Sequence, residues 1–366
     1  MRKTQELKTR AADLLTACVV VRQLQPAAGM RLSSRLAGSQ NLSPRHLLLF
    51  MRWLLVFALV FLAFSASAWN SVGHKLIAEM VWQKMSASAR RQATHLLMRH
   101  PHYKELLTAH VPPGVDEGEW AFLTAAVWPD LVRPNWEGKT ESIAKYDVYP
   151  HTIGYPFMLA QETNHALVEN FFIAKPDAEM VLSNAFVTLR NKNASPHDRA
   201  VSLCWALHLC GDLHQPLHAA SLVTKEHPRG DGVGGSHIVL DERGQPVAMH
   251  MFWDCLPGLE ETYPSLKETA RKLAANETLK RMTRGDLEQH KTISSWVQES
   301  HRLATDFAYQ GGRLRFAHQA DLDSGKVGRS QIPKLSLEYV SQAHEVAERR
   351  LILAAQRLSR ELNQAW

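Results

Sequence analysis

The stretch His208-Leu-Cys-Gly-Asp212-Leu-His-Gln-Pro-Leu-His218 carries the densest set of metal-binding side chain types in the sequence. On a helix, residues four apart lie about 40° apart around the axis, so His208 and Asp212 share a face and can grip one metal or two adjacent ones. Pro216 stops such a helix and lets His218 swing toward the same cavity. His214, six residues after His208, falls on a different face and is left out of the ligand set. The four-residue spacing recurs in His250 and Asp254. Upstream lie Asp130 in Trp128-Pro-Asp130, His151 in Tyr149-Pro-His151, and the pair Trp69 and His74, five apart. Imidazoles and carboxylates without thiolates suit zinc in a site that keeps one position open for water.

These residues need elements to hold them, and the clearest period along the chain is helical. Helices are expected at about 73–99, 117–128, 158–174, 177–192, 196–213, 259–283, 285–308 and 335–364. The start near residue 196 is well marked, with Ser195 as N-cap, Pro196 at the first helical position and Asp198 reaching back. From Thr224 to Met249 the pattern dissolves into Gly230, Gly232, Gly234 and Gly235, followed by a short hairpin about Arg243-Gly244. The fold class is therefore all-α: a single, mainly helical domain with a glycine-rich loop and one short hairpin.

Leu54 to Phe64 is an uncharged apolar run of 11 residues, preceded by Arg52 and followed by Ser65-Ala66-Ser67-Ala68. It is too short to cross about 30 Å of hydrocarbon as a helix, and it reads as a signal peptide cleaved before Trp69. Residues 51–68 are then the leader. Residues 1–50 are either an upstream translation artefact or a cytoplasmic extension, and 69–366 form the functional domain. The expected location is secreted or periplasmic, with no stable membrane anchor once the leader is removed. Nine of the 42 Lys/Arg and two of the 36 Asp/Glu fall in residues 1–68, which leaves 33 against 34 and a net charge of −1. The basic balance of the whole chain thus carries no argument for a nucleic-acid-binding surface. Cys204, Cys210 and Cys255 remain, an odd number, with no Cys-x-x-Cys pair to bind zinc. Other residues take ordinary roles. Trp82, Trp120, Trp205 and Trp296 are assigned to the core, and Glu345, Glu348, Arg349 and Arg350 to a solvated helix face.

Taken together, the His-x3-Asp-x5-His run, the second His-x3-Asp run and a tryptophan at the cleavage point resemble the zinc-dependent single-strand-specific nucleases of fungi, plants and bacteria. Those are type I nucleases, related to zinc phospholipase C. The similarity spans essentially all of residues 69–366. It implies three Zn2+ ions: one held by Asp130, His151, His208 and Asp212, a second by His218, His250 and Asp254. The third is held by Trp69, through its free amino group and carbonyl oxygen, with His74 and a bridging Asp212. Asp130, Arg133 and Asp212 are the implied catalytic residues, Arg133 standing where the family carries a basic residue near the phosphate. The implied substrate is single-stranded nucleic acid, cleaved to 5′-phosphorylated products, with 3′-nucleotidase activity as a further expectation. Zinc would supply both ionised water near neutral pH and charge stabilisation for the departing 3′ oxygen. Protein partners are left unknown by the sequence.

Departures from the family touch specificity. Thr152 and Gly154 stand where the nucleases place an aromatic and an acidic residue for the base, and Ser236 stands where the glycine-rich loop carries Asn. Tyr155 or Phe157 could offer a stacking ring, although core packing is the ordinary role for either. A phospholipase C is the competing reading on the same scaffold. Asp254 argues against it, because the resembled phospholipases use Glu there. A non-enzymatic zinc-binding export protein is a third reading, disfavoured because storage needs no open position.

The N-terminal ligand yields a test. A free α-amino group has a pKa of about 8 and exchanges its proton for zinc near neutral pH, whereas a peptide nitrogen offers no lone pair. A protein beginning at Trp69 should bind one more zinc than one carrying an extra Ala before it, and should cleave single-stranded DNA far faster. Equal zinc content and rate in the two proteins would remove Trp69 from the ligand set.

Overall fold

The computed structural model describes residues 69–133, 146, 149–225 and 227–365, so the leader and extension assigned to residues 1–68 lie outside the described residues. Along the chain run α1 (Ser71–Lys84), α2 (Ala87–Leu97), α3 (Glu117–Ala125), α4 (Trp128–Leu131), β1 (Tyr155–Phe157), α5 (Ala166–Glu169), α6 (Ala178–Arg190) and α7 (Pro196–Asp212). There follow β2 (Ala220–Leu222), β3 (His237–Leu240), β4 (Pro246–Ala248), α8 (Met249–Cys255), α9 (Tyr263–Ala275), α10 (Glu277–Gln289) and α11 (Ile293–Arg302). The described chain closes with β5 (Ala317–His318), α12 (Gln319–Asp323) and the long α13 (Leu337–Leu362). This is the mainly helical domain the periodicity predicts.

Two helices form the centre. Every residue of α1 from Val72 to Trp82 is buried, and so is every residue of α7 from Leu203 to Asp212. Helices covered on all sides belong inside a domain rather than on its surface. Helix α1 packs against α3, α7, α9 and α13, while α7 lies between α6 and α13. Their start points follow from capping. The Asn70 side chain accepts the Gly73 N–H at 3.0 Å, and the Ser195 hydroxyl accepts the Asp198 N–H at 3.0 Å.

The departures from the expected helices have local causes. The run 73–99 breaks because Ser86 turns out of the helix and its hydroxyl caps α2 through the Ala89 N–H. The run 259–283 ends early where Asn276 accepts from Thr278 and Leu279 and starts α10, and the next helix waits for a Thr292–Ser295 capping box. The expected helix 158–174 shrinks to Ala166–Glu169. There Glu162 accepts the N–H groups of Thr163 and Asn164, satisfying donors that a helix would need, and Ala160 donates to the carbonyl of Gly312.

The strands lie in the predicted loop region and its surroundings. β3 and β4 pair antiparallel, with Gly244 in the connection at φ +78°, which is the expected hairpin, and β5 adds to the other edge of β3. β1 pairs parallel with β2. Arg350 contradicts its assignment to a solvated face: it is 1% exposed, because its guanidinium is needed against Glu299, Ser300 and the carbonyl of His214. Glu345 and Glu348 are exposed as expected.

Gly211 sets the closest approach of α7 to α1. A Cβ there would stand 2.9 Å from His74 Nδ1 and 3.2 Å from Ile77 Cδ1. The His74 ring cannot retreat, because it stacks on His208 with centroids 4.0 Å apart. Overpacking costs about 1–3 kcal/mol, against roughly 1 kcal/mol gained from replacing helical glycine by alanine. Gly211→Ala is therefore expected to lower the thermal unfolding midpoint. A midpoint equal to or above that of the parent would refute the close approach.

Candidate metal centre

Helix α7 ends in the side chain on which the centre turns. Asp212 is fully buried, and its two oxygens face different partners. Oδ1 lies 3.3 Å from His74 Nε2, while Oδ2 lies 3.2 Å from both His208 Nε2 and His151 Nδ1. His151 Nδ1 and His208 Nε2 stand 2.8 Å apart, with Asp130 Oδ1 at 3.8 Å and 3.7 Å from them. Beyond the Pro216–Ala219 turn, His218 Nε2 lies 3.2 Å from His250 Nε2, which lies 3.2 Å from Asp254 Oδ2. Three groups result: His74, His208 and Asp212; Asp130, His151 and His208; and His218, His250 and Asp254.

These separations fit a shared cation. Donors about 2.0–2.1 Å from a tetrahedral zinc stand about 3.3–3.4 Å from one another, and most of the distances above fall near that value. Asp212 Oδ1 and both ring nitrogens of His74 are buried without a well-aligned hydrogen bond among the described residues. A buried anionic oxygen left in that state is costly, and a metal ion is one partner that answers it.

Backbone carbonyls hold the rings. His208 Nδ1 meets the carbonyl of Ala126 at 2.7 Å, His218 Nδ1 that of His151 at 3.0 Å, and His250 Nδ1 that of Val233 at 2.8 Å. A ring whose Nδ1–H donates keeps the Nε2 lone pair for a metal. Val233 is itself constrained: it sits in the left-handed region at φ +55°, between Gly232 and Gly234. The glycine-rich loop thus serves the centre by aiming one carbonyl.

Charge states divide between the groups: burial would lower His208, but the carboxylates of Asp212 and Asp130 outweigh it and raise that ring, whereas three other rings are lowered. Burial pushes the pKa of His151 down to about 4 and that of His218 down to about 3, and lowers His74 as well, so these rings are neutral at pH 7. Neutral imidazole is the ligating form. Burial alone would raise Asp212, but the charge of His208 and the close approach of the His151, His208 and His74 rings outweigh it and hold the carboxyl well below its usual range. Asp254 goes the other way, pushed well above that range by burial, with the Gln215 hydrogen bond as a partial counterweight. Arg133, just past α4, places Nε 3.2 Å from Asp130 Oδ1 and 3.3 Å from His151 Nε2. Trp69 is fully buried beside Gly73, and the next residue, Asn70, donates its N–H to the carbonyl of Asp254 at 3.0 Å.

The structure thus brings together His74, Asp130, His151, His208, Asp212, His218, His250 and Asp254, with Arg133 alongside. His214 stays out, as its spacing indicates, and accepts from Arg357 at 2.8 Å. Spacing alone misses Gln215, whose amide donates to Asp254 Oδ1 at 2.8 Å; its place in the chain between Asp212 and His218 was the available signal. Tyr149, two residues before His151, is 41% exposed, with its ring edge-on to Trp205 at 5.1 Å. Phe157 is buried against Tyr309 and belongs to the core. A further carboxylate–histidine group, Asp286, His290 and Glu299, is a poor cation site. Arg349 binds Asp286, and Arg350 and Arg357 bind Glu299, so those carboxylates already face guanidinium charge.

The helical scaffold thus converges three buried histidine–aspartate groups that could hold metal ions, without a thiolate in any. Residues 69–366 match the S1/P1 Nuclease family, and the chain belongs to that family. It is also similar to Endonuclease 1 of Arabidopsis thaliana, 22% identical over 310 residues that cover 82% of this chain and 88% of that protein. The protein is accordingly a nuclease-family enzyme, and the family implies zinc for its buried histidine and aspartate groups.

The two oxygens of Asp212 generate a test by metal counting. Elemental analysis of dialysed protein should give three zinc ions in the parent, one in Asp212→Ala and two in Asp254→Ala. Equal losses in the two variants would contradict the divided use of Asp212.

Proposed function

We propose that this chain is a zinc-dependent endonuclease that hydrolyses phosphodiester bonds of single-stranded DNA and RNA to 5′-phosphorylated products, with 3′-nucleotidase activity at the same centre. The observation that carries the reading is Asp212, whose two carboxylate oxygens face two separate histidine groups, as a ligand shared by a close metal pair must. One zinc is assigned to Asp130, His151, His208 and Asp212, one to Trp69, His74 and Asp212, and one to His218, His250 and Asp254. The name of the Arabidopsis relative supports endonucleolytic action.

Bound zinc supplies Lewis acidity toward the phosphoryl group and a source of hydroxide near neutral pH. The protein's own groups do the positioning. Asp130 anchors Arg133, whose positive charge faces the developing charge on the phosphoryl oxygens. The carbonyls of Ala126, His151 and Val233 fix three rings in the tautomer that ligates. Tyr149 takes the part of a stacking platform that Thr152 and Gly154 cannot fill; every base offers a π-face, so such stacking tolerates sequence. Asp254, with its short side chain, favours the nuclease over a phospholipase C. The protein acts outside the cytoplasm after cleavage before Trp69, and among the described residues no helix is long and apolar enough to cross a membrane.

The purified protein is expected to cleave single-stranded DNA at least about tenfold faster than duplex, and to leave phosphatidylcholine intact. Because residues 69–366 carry a net charge of −1, the rate should fall only gently with added salt at fixed zinc. Preferential turnover of phosphatidylcholine would overturn the reading, and a steep salt dependence would require a basic groove.

A further inference from the structure

Between the ligands Asp212 and His218 lie Leu213, His214 and Gln215, all fully buried. Gln215 has both ends engaged. Its Oε1 accepts the Leu217 N–H at 2.5 Å, capping the turn that delivers His218, and its Nε2 donates to Asp254 Oδ1 at 2.8 Å. The other Asp254 oxygen, Oδ2, faces His250 Nε2 at 3.2 Å. The amide therefore occupies one carboxylate oxygen and leaves one for the metal-binding group.

We propose that Gln215 is a positioning residue that confines Asp254 to one-oxygen coordination and so keeps a position open beside His218 and His250. The inference rests on the reading of His218, His250 and Asp254 as one metal's ligands. Three protein donors with a vacant fourth position are what a catalytic zinc site requires; a carboxylate free to turn could chelate through both oxygens or swing away. Gln215 has no freedom to follow such a turn. Its N–H donates to the carbonyl of Asp212 at 2.9 Å. The carbonyl of His214 is held by Arg350 Nε at 3.0 Å, and that of Leu213 by the Ser300 hydroxyl at 2.6 Å. The clamp comes from α11 and α13, elements that supply no ligand themselves.

Two variants separate the roles of the amide. Gln215→Glu keeps an acceptor for the Leu217 N–H and replaces the donor by a carboxylate facing Asp254. Gln215→Met keeps approximate volume and removes both functions. Zinc release into a competing chelator, kcat and KM are measured for both beside the parent and Asp254→Ala, with circular dichroism as the check on folding. In both variants one zinc of three should become about 10–100-fold more labile while the other two stay as in the parent, with kcat falling and KM little changed. Parent-like retention of all three zincs in Gln215→Glu would overturn the proposal, as would equal weakening of all three. A loss confined to Gln215→Met would overturn it too, since that assigns Gln215 to the Leu217 cap alone. If Asp254→Ala itself loses no zinc, the underlying ligand assignment falls with it; if Asp254→Ala loses one and Gln215→Glu none, only the role of Gln215 falls.

Discussion

A carboxylate with no exposure to water must be met by positive charge or donors from several directions, and Asp212 imposes that demand at the end of the central helix. His74 comes from α1, His208 from one turn earlier in α7, and His151 from the segment before β1. Each must arrive at a set distance, so the packing of α1 on α7 is fixed at Gly211, where a larger residue would strike the His74 ring. The fold can be understood as the arrangement that lets these rings reach one carboxylate while the rest of α7 is covered by α6 and α13, with α2, α3 and α4 also packed on it.

Covering that helix brings further charge inside. Arg350 and Arg357 are buried and share Glu299, an excess of one positive charge for the three groups. The surplus is met by polar atoms at the α7 C-terminus: the carbonyl and ring of His214 accept from Arg350 and Arg357. Cations at a helix C-terminus are favourable because the unpaired carbonyls there carry partial negative charge. Breaking such a buried network by removing one partner commonly costs several kcal/mol, so the turn carrying Gln215 is firmly set relative to α13.

The same economy of parts explains the glycine-rich loop. Asp231 is held by the Leu222 N–H at 3.0 Å and the Tyr309 hydroxyl at 2.8 Å, with His237 Nδ1 3.1 Å away. The loop it anchors carries Val233 in a conformation that a β-branched residue rarely adopts, and the carbonyl so presented holds His250. Backbone strain here has a visible use.

Much of the centre is legible in the sequence because helical geometry is local. The four-residue spacings of His208 with Asp212 and of His250 with Asp254 put each pair on one face before any packing is known, and Ser195-Pro196 marks where α7 begins. The resemblance to the nucleases supplied the grouping of the remaining ligands, which spacing could not. What only the tertiary structure decided are contacts across long separations. His74 meets one oxygen of Asp212 and His151 the other, Gln215 reaches Asp254, and Arg350 lies on the buried face of α13 with Ala347, Leu353 and Ala354, where it finds Glu299 and the carbonyl of His214. Helix period fixes the angle of a side chain about its own axis. It says nothing of which helix lies opposite or at what height, because that register is set by the fit of non-local surfaces and by the buried charges that must find each other.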